Sequence, residues 1–188
     1  AAYQLPTPTK LISSPNPLTT QIYDRNGTLL YNLYEERNRT LVNLSDLPKS
    51  LIQATLTIED RNFYHHIGID PVAIVRALYH NTRNETMEGA STITQQLIKN
   101  SLLSPEKTYA RKFKEIVLSL WTERIYSKDQ ILQMYFNEAP YGGSIMGIAA
   151  ASETYFGKPP GGLDLAESAY LAGLPASPTQ FSPYGIQP

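Results

Sequence analysis

The sequence predicts a mainly α-helical domain preceded by a short β-ribbon. Helix-start signals recur after residue 46, apolar residues follow them at helical spacing, and one hairpin signal lies ahead of them. Of the 188 residues, 41% are hydrophobic, which is enough to build a core. We expect a linker over 1–18, a β-ribbon segment over 19–45 and the main domain over 46–188.

The N-terminal segment has prolines at positions 6, 8, 15 and 17, a composition typical of linkers. The stretch QIYDRNGTLLYNL then alternates apolar and polar residues around Asn26-Gly27, the strongest short signal for a β-hairpin. Two antiparallel strands are therefore predicted between residues 20 and 43.

Capping signals predict the helices. Three helices are expected to begin at an acidic or serine residue with a proline just after it: Asp46 with Pro48, Asp70 with Pro71, and Ser104 with Pro105. Two more begin at capping boxes: Ser127 with Gln130, and Asp164 with Glu167. The helix after Ser104 carries an apolar stripe expected to face the core: Phe113, Ile116, Val117, Leu120 and Ile125.

Composition excludes several functions. The chain has no cysteine, so it holds no disulfide, zinc thiolate or thiol nucleophile. A net charge of −1 argues against nucleic-acid binding. No apolar run is long enough to span a membrane. Because the first residue is not methionine, we expect that an N-terminal signal or anchor is absent from this chain.

The segment EDRNFYHHIG places Glu59 and Asp60 at the end of an apolar helix. A helix C-terminus carries partial negative charge, so an acid pair there is electrostatically unfavourable and indicates a functional site. The alternative is an exposed loop. We expect His66 to hold a neighbouring carboxylate or the turn at Gly68. No metal-ligand spacing occurs, so no metal site is predicted.

A basic cluster follows the polar stretch GASTITQQLIKN. Between residues 99 and 114 the chain has five cations and one acid, a local charge of +4: Lys99, Lys107, Arg111, Lys112 and Lys114 against Glu106. The alternative is an ordinary solvated helix face. Two carboxylates on separate segments, Glu59 and Glu115, suggest acid–base catalysis. A glycosidase needs little positive charge near its acid, whereas a transferase that expels a pyrophosphate needs cations to hold that anion, so the cluster favours the transferase.

The glycine-rich segment YGGSIMGIAAASETYFGK suggests a phosphate loop at first sight. Its spacing matches neither the dinucleotide nor the nucleotide-triphosphate motif, and no strand precedes it. We expect a structural turn followed by small-residue packing.

Five stretches in order resemble the motifs of the family 51 peptidoglycan glycosyltransferases, the glycan-polymerising domain of class A penicillin-binding proteins. They are EDRNFYHHIGID, GASTITQQLIKN, RKFKE, KDQILQMYFN and GIAAASETYFGK, over residues 59–158. The stretch APYGGSIMGIAAAS is closer to the 1C branch of those proteins. The resemblance implies a lysozyme-like, two-lobed helical fold with a membrane-proximal jaw.

The resemblance also implies an activity, which is polymerisation of lipid II into β-1,4-linked glycan with release of undecaprenyl pyrophosphate. It implies that Glu59 is the catalytic base and that Glu115 is a second essential acid near the pyrophosphate. It assigns donor-site roles to a polar and basic set: Gln95, Gln96, Lys99, Arg111 and Lys112. Arg76 matches a further arginine of the family, and Arg76 and Lys107 are also expected to bind substrate. Other residues shape the first two motifs: Asp60, Phe63, His66, Ser91 and Thr92.

The sequence departs from the family pattern at three places. Gln133 stands where glutamate is usual, at a position expected to be structural. Lys107 replaces a common arginine, which would weaken bidentate phosphate binding. The chain stops before an arginine-rich helix that normally continues the domain, so we expect truncation at the C-terminus.

The resemblance implies partners and a place in the cell. These are lipid II, the nascent glycan chain, the membrane surface, moenomycin-type inhibitors, and a transpeptidase domain or cell-wall synthesis proteins, at the extracytoplasmic face of the bacterial membrane. Mg²⁺ or Mn²⁺ at the pyrophosphate is an open alternative to side-chain cations alone. Two other functions stay open: a lysozyme-like muramidase or lytic transglycosylase, and an inactive lipid II-binding module.

Overall fold

The computed structural model describes residues 5–13, 20–27, 29–33, 41–82, 91–104, 106 and 108–183. The described helices are α1 Lys10–Ser13, α2 Lys49–Glu59, α3 Pro71–Thr82, α4 Ile93–Leu102, α5 Tyr109–Ile125, α6 Lys128–Glu138, α7 Ile148–Phe156, α8 Leu165–Gly173 and α9 Pro178–Phe181. Short 3-10 turns lie at Leu44–Asp46, Pro160–Gly162 and Leu174–Ala176. The prediction of a mainly α domain is confirmed.

The predicted β-ribbon forms from β1, Thr20–Tyr23, and β2, Leu29–Leu33, which pair antiparallel. The turn between them is closed by a 3.1 Å hydrogen bond from Gly27 N to Asp24 O. The segment predicted as a linker also contains structure, because α1 lies within it and Leu11 packs against the core.

Two helix packings build the core: α2 against α8, and α4 against its neighbours. Helix α4 packs against both α5 and α6, and α2 packs against α8. The largest fully buried side chains include Ile93, Leu97, Ile131, Tyr135 and Phe136, which come from α4 and α6. This arrangement fixes α4 as the central helix, and the predicted polar stretch begins at its N-terminus.

Three of the five predicted caps are confirmed. Capping boxes start α6 at Ser127 and α8 at Asp164, and Asp70 Oδ1 accepts hydrogen bonds from the first-turn N–H groups of α3. The prediction for α5 was wrong. The helix begins at Tyr109, and its N-cap is Thr108 in place of Ser104. The prediction that Asp46 starts α2 was wrong as well. Asp46 ends a 3-10 turn, and α2 begins after Pro48 without a side-chain cap.

The predicted apolar stripe on α5 was also wrong. Phe113 is 68% exposed and Ile125 is 42% exposed. The buried residues of α5 are one leucine and three polar residues: Leu118, Glu115, Ser119 and Thr122. The two hydroxyls donate to carbonyls one turn earlier in the same helix, which satisfies them without tertiary partners. Helix α5 therefore turns a polar face inward.

The glycine-rich segment forms a structural turn, as predicted. Pro140 and Met146 form an antiparallel bridge, and the alanines of α7 that follow are buried. Gln133 is structural as well, because its Oε1 accepts a 3.0 Å hydrogen bond from Leu44 N. Across the described ranges, no helix has the length and apolar character needed to cross a membrane.

Candidate active site

A cleft of about 310 Å³ opens where the end of α2, the following loop, α3 and the start of α4 meet. Its lining combines acids, amides, hydroxyls and arginines: Thr57, Ile58, Glu59, Asp60, Arg61, Asn62, Asp70, Ala73, Arg76, Ser91 and Thr92. The lining thus includes five residues predicted for the site: Glu59, Asp60, Arg76, Ser91 and Thr92.

Glu59 is the last residue of α2 and has two unlike carboxylate oxygens. Oε2 accepts a 2.6 Å hydrogen bond from Gln96 Nε2. Oε1 is buried and accepts a hydrogen bond from none of the residues that the structure describes. Burial raises the pKa of Glu59, while the Gln96 hydrogen bond and the charge of Lys99 lower it in part. The carboxylate is therefore set up to take a proton.

Two buried tyrosines lie in the electrostatic field of Glu59. Burial first, and the negative charge of Glu59 next, raise the pKa of Tyr135 and of Tyr141. Both phenols stay neutral at physiological pH, so neither is an acid or base that competes with Glu59.

Asp60 is buried and holds the loop that follows Glu59. Its Oδ2 lies 2.8 Å from His66 Nε2 and accepts a 3.0 Å hydrogen bond from Ile93 N. His66 Nδ1 accepts a hydrogen bond from Gly68 N, so Nδ1 carries no proton and Nε2–H is the donor to Asp60. His66 therefore holds both the carboxylate and the Gly68 turn, and each alternative predicted from the sequence is met.

The first turn of α4 is capped by Thr92. Its hydroxyl accepts from Gln95 N at 3.2 Å and donates to Gly68 O at 2.7 Å. Gln95 completes a capping box by accepting a hydrogen bond from Thr92 N, and its side chain is buried there. The structure thus places the Gln95 amide in the helix cap, and it is the neighbouring Gln96 that reaches Glu59.

Glu115 is the second acid and lies on the buried face of α5. Its side chain is 2% exposed and forms a very short hydrogen-bonded ion pair with Lys112. Arg111 Nη1 lies 3.8 Å from Glu115 Oε2. The Nε of Arg111 is buried and has no acceptor in the part of the chain that the structure describes.

Ser91 connects the two acidic centres. Its hydroxyl accepts a 3.0 Å hydrogen bond from Lys112 Nζ, and the residue also lines the cleft around Glu59. Lys112 therefore bridges Ser91 and Glu115, so the cationic group predicted for the donor side adjoins the cleft of the predicted base.

The other predicted residues have different surroundings. Phe63 is 1% exposed and packs edge-on against Tyr64, so it supports the loop from inside. Arg76 is exposed at the cleft, and Lys99 is exposed on α4. Lys107 lies outside the described residues.

Sequence reasoning missed two groups of residues. Asn62 lines the cleft and donates a 3.0 Å hydrogen bond to Asp70 Oδ2. Burial opposes ionisation of Asp70, but the hydrogen bonds from Asn62 and from two backbone N–H groups outweigh it and lower its pKa. Glu123 and Lys128 form an ion pair across the break between α5 and α6, where no helical spacing signals it.

The donor set does not fit a metal held by the protein. Within the described ranges, no group of three histidine, aspartate or glutamate side chains is arranged to hold a metal ion. The neighbours of the Glu115 carboxylate are the cations Lys112 and Arg111, which repel a divalent ion. Side-chain cations are the groups available to bind an anion here.

Comparisons with known proteins identify the family of the chain. Residues 26–187 match the family described as Transglycosylase. The chain is 42% identical to penicillin-binding protein 1A of Rickettsia typhi, over 97% of this chain and 24% of that protein. It is 42% identical to penicillin-binding protein 1F of Bacillus subtilis, over 88% of this chain and 23% of that protein.

A crystal structure of penicillin-binding protein 1A from Haemophilus influenzae covers 85% of this chain and 14% of that one, at 25% identity and a TM-score of 0.38. The chain spans about a quarter of the length of the curated relatives it matches. The likeness to the 1C branch stays a prediction. Since the family match extends over most of the residues, this chain belongs to the transglycosylase family.

Proposed function

We propose that this chain is a peptidoglycan glycosyltransferase that polymerises lipid II into β-1,4-linked glycan. The observation that carries the proposal is the Glu59 carboxylate, which lines the cleft with Oε1 unpartnered among the described residues and with its pKa raised by burial. A general base works best when its pKa is close to the working pH. Membership of the transglycosylase family supports the same conclusion.

In the proposed reaction, the 4-hydroxyl of lipid II attacks the anomeric carbon of the growing chain. The new bond joins that oxygen to the anomeric carbon, and the proton passes to Glu59 Oε1. The bond from the anomeric carbon to the pyrophosphate oxygen breaks, and undecaprenyl pyrophosphate leaves with the electron pair. Because attack occurs opposite to the leaving group, the anomeric centre is inverted.

The leaving pyrophosphate needs cations, and the cluster on α5 supplies them. Arg111 has a buried, unpartnered Nε, within the described part of the chain, that would donate to a phosphate oxygen. Glu115 and Ser91 hold the Lys112 ammonium group in position before substrate binds. We propose that Lys99 adds charge on the same side and that Arg76 and Gln96 add polar groups to the substrate site. The donor-site role of Lys107 stays a prediction from the sequence.

The exposed apolar residues support contact with a lipid surface. Val72 and Val75 on α3 are 66% and 68% exposed, and Phe113 lies beside Arg111 in a mostly apolar groove of about 500 Å³. We propose that the chain acts at the extracytoplasmic face of the bacterial membrane on lipid II and the nascent glycan. Moenomycin-type inhibitors would bind the cleft, and a transpeptidase domain is the proposed partner.

A second function uses the same raised pKa of Glu59. A muramidase or lytic transglycosylase needs a protonated acid, and burial of Glu59 favours that form. The cations Lys112 and Arg111 around Glu115 favour the transferase instead, because a glycosidase expels a neutral alcohol.

Incubation of the chain with lipid II tests the proposal. We expect glycan strands to lengthen while undecaprenyl pyrophosphate appears in proportion. Cleavage of finished peptidoglycan without any lipid-linked substrate would favour the muramidase. Binding of lipid II without product would indicate an inactive binding module.

A further inference from the structure

Glu123 is a buried carboxylate on α5 that belongs to neither acidic centre. Its side chain is 6% exposed, and both of its oxygens are engaged by protein groups. Oε1 accepts a 2.5 Å hydrogen bond from Thr94 Oγ1, and Oε2 lies 2.7 Å from Lys128 Nζ. A buried charge is tolerated only when it is paired and hydrogen-bonded, so this carboxylate has a role that its partners reveal. Those partners lie on α4 and at the first residue of α6.

The same ion pair supports the loop that follows Glu59. A Cβ placed on Gly68 would lie 3.1 Å from Glu123 Cγ, so the loop backbone rests directly on the Glu123 side chain. Lys128 Nζ lies 4.5 Å from the centroid of the Phe63 ring, a cation–π contact. Glu123 and Lys128 therefore contact the 60–70 loop at two of its predicted motif residues.

The other side of the pair reaches the helix that holds Glu59. Thr94 is in the first turn of α4, two residues before Gln96, whose amide binds Glu59 Oε2 at 2.6 Å. Ile93 N, in the same turn, donates to Asp60 Oδ2. The first turn of α4 is thus bonded to the acid pair on one side and to Glu123 on the other.

We propose that Glu123 and Lys128 are positioning residues for the reaction, and that their ion pair fixes the 60–70 loop against the first turn of α4. The ion pair thereby maintains the geometry of the Gln96–Glu59 hydrogen bond, although neither Glu123 nor Lys128 lines the cleft around Glu59. Displacement of a base by about 1 Å can lower a rate by roughly a hundredfold, so loss of the ion pair is expected to lower kcat. The proposal rests on the glycosyltransferase function proposed above.

A groove of about 580 Å³ borders the pair on its outer side, lined in part by His66, Glu123 and Lys128. Water can enter this groove and solvate a charge left unpaired by mutation. Variants of the pair are therefore expected to fold, and their kinetics can be measured.

The test compares Glu123→Gln, Lys128→Met and the double variant in lipid II polymerisation. Each single variant is expected to lose roughly tenfold in kcat, with KM changed by less than about twofold, since substrate-binding groups are untouched. The double variant should recover part of the lost kcat because no charge is left unpaired. Lys128→Arg, which keeps the cation, should stay near the wild type. Lys158→Met removes the cation of another ion pair, that with Glu167, and should leave kcat unchanged.

Hydrogen–deuterium exchange provides a readout that needs no activity. Glu123→Gln should speed exchange in peptides covering 61–70 and 93–96 but not in α8. If the wild type fails to polymerise lipid II, the proposed function is wrong, and the exchange result alone decides the positioning role. Single variants with wild-type kcat and unchanged exchange at 61–70 would overturn the proposal, even if their Tm were lower.

Discussion

The amide of Gln96 donates a 2.6 Å hydrogen bond to one oxygen of Glu59 and leaves the other without a donor among the residues that the structure describes. This hydrogen bond connects two residues of the predicted site, Glu59 on α2 and Gln96 on α4. It stabilises the ionised form of Glu59, whereas burial stabilises the protonated form. The balance between these two effects sets the pH at which Glu59 can accept a proton.

Removal of the Gln96 amide should move the pH dependence of the reaction. In Gln96→Leu the carboxylate loses the donor that lowers its pKa, so the pKa of Glu59 rises further. The acid limb of the kcat profile should therefore shift to higher pH, as measured by lipid II polymerisation across a pH series. Gln53→Leu, at an exposed position on α2, the helix of Glu59, is the control and should leave the limb in place. An unshifted limb in Gln96→Leu would show that another group controls it.

The raised pKa of Glu59 also predicts a pH-dependent stability. The folded state binds the Glu59 proton more tightly than the unfolded state, so this contribution is complete below the ordinary glutamate pKa of about 4.3 and is lost as pH rises through the folded pKa. Glu59→Gln cannot ionise. Its stability relative to the wild type should therefore improve from acid to neutral pH. Urea unfolding at both pH values measures the free energy of unfolding of the variant minus that of the wild type. A value that stays constant or falls from acid to neutral pH would contradict the shift.

The Lys112–Glu115 pair should matter to stability because Glu115 is buried. Lys112→Met leaves that carboxylate with Arg111 at 3.8 Å as its remaining cation, and we expect a loss of about 2 kcal/mol in the free energy of unfolding. The figure is below that of a fully buried pair because the Lys112 side chain is 42% exposed. Urea unfolding is the measurement.

Two controls accompany this prediction. Lys112→Met combined with Glu115→Gln should recover much of the loss, since no unpaired charge stays buried. Lys158→Met breaks a pair whose carboxylate, that of Glu167, is more exposed than Glu115, and it should lose less than about 1 kcal/mol. Equal losses for Lys112→Met and Lys158→Met would show that burial of Glu115 is not the cause.

Gly68 should tolerate substitution less well than Gly157. Both have positive φ, +98° and +65°, so an alanine is strained at either position. At Gly68 the new Cβ would also lie 2.9 Å from Ser119 O, whereas at Gly157 it meets no atom within 4 Å. We expect Gly68→Ala to lose about 3 kcal/mol and Gly157→Ala about 1 kcal/mol in urea unfolding. A similar loss in both variants would contradict the close packing of the loop on α5.

Local rules predicted the helix starts that depend on nearby residues. Ser127 and Asp164 were identified because a capping box needs only a residue three positions later. The start of α5 was missed because two residues, Ser104 and Thr108, carry the same signal and only packing selects between them. The presence of the helices could be predicted from the sequence, whereas the exact residues at which they begin could not.

Tertiary contacts explain the rest of what the sequence could not reveal. Apolar spacing predicted that Phe113 would be buried, yet α5 buries Glu115, which is tolerated because Lys112 and Arg111 pair with it. Gln95 and Gln96 are adjacent and chemically identical, so sequence alone could not separate the helix cap from the partner of Glu59. The link from Ser91 to Lys112 joins the segment before α4 to α5 and has no local pattern.

The most direct test of the account is lipid II polymerisation by Glu59→Gln beside the wild type, with Glu153→Gln on α7 as a matched change elsewhere. Loss of a general base should reduce kcat by about 10²–10⁴-fold while circular dichroism and Tm show an intact fold. Glu153→Gln should polymerise at the wild-type rate. The account predicts glycan strands from the wild type and Glu153→Gln and almost none from Glu59→Gln, whereas full polymerisation by Glu59→Gln would contradict it.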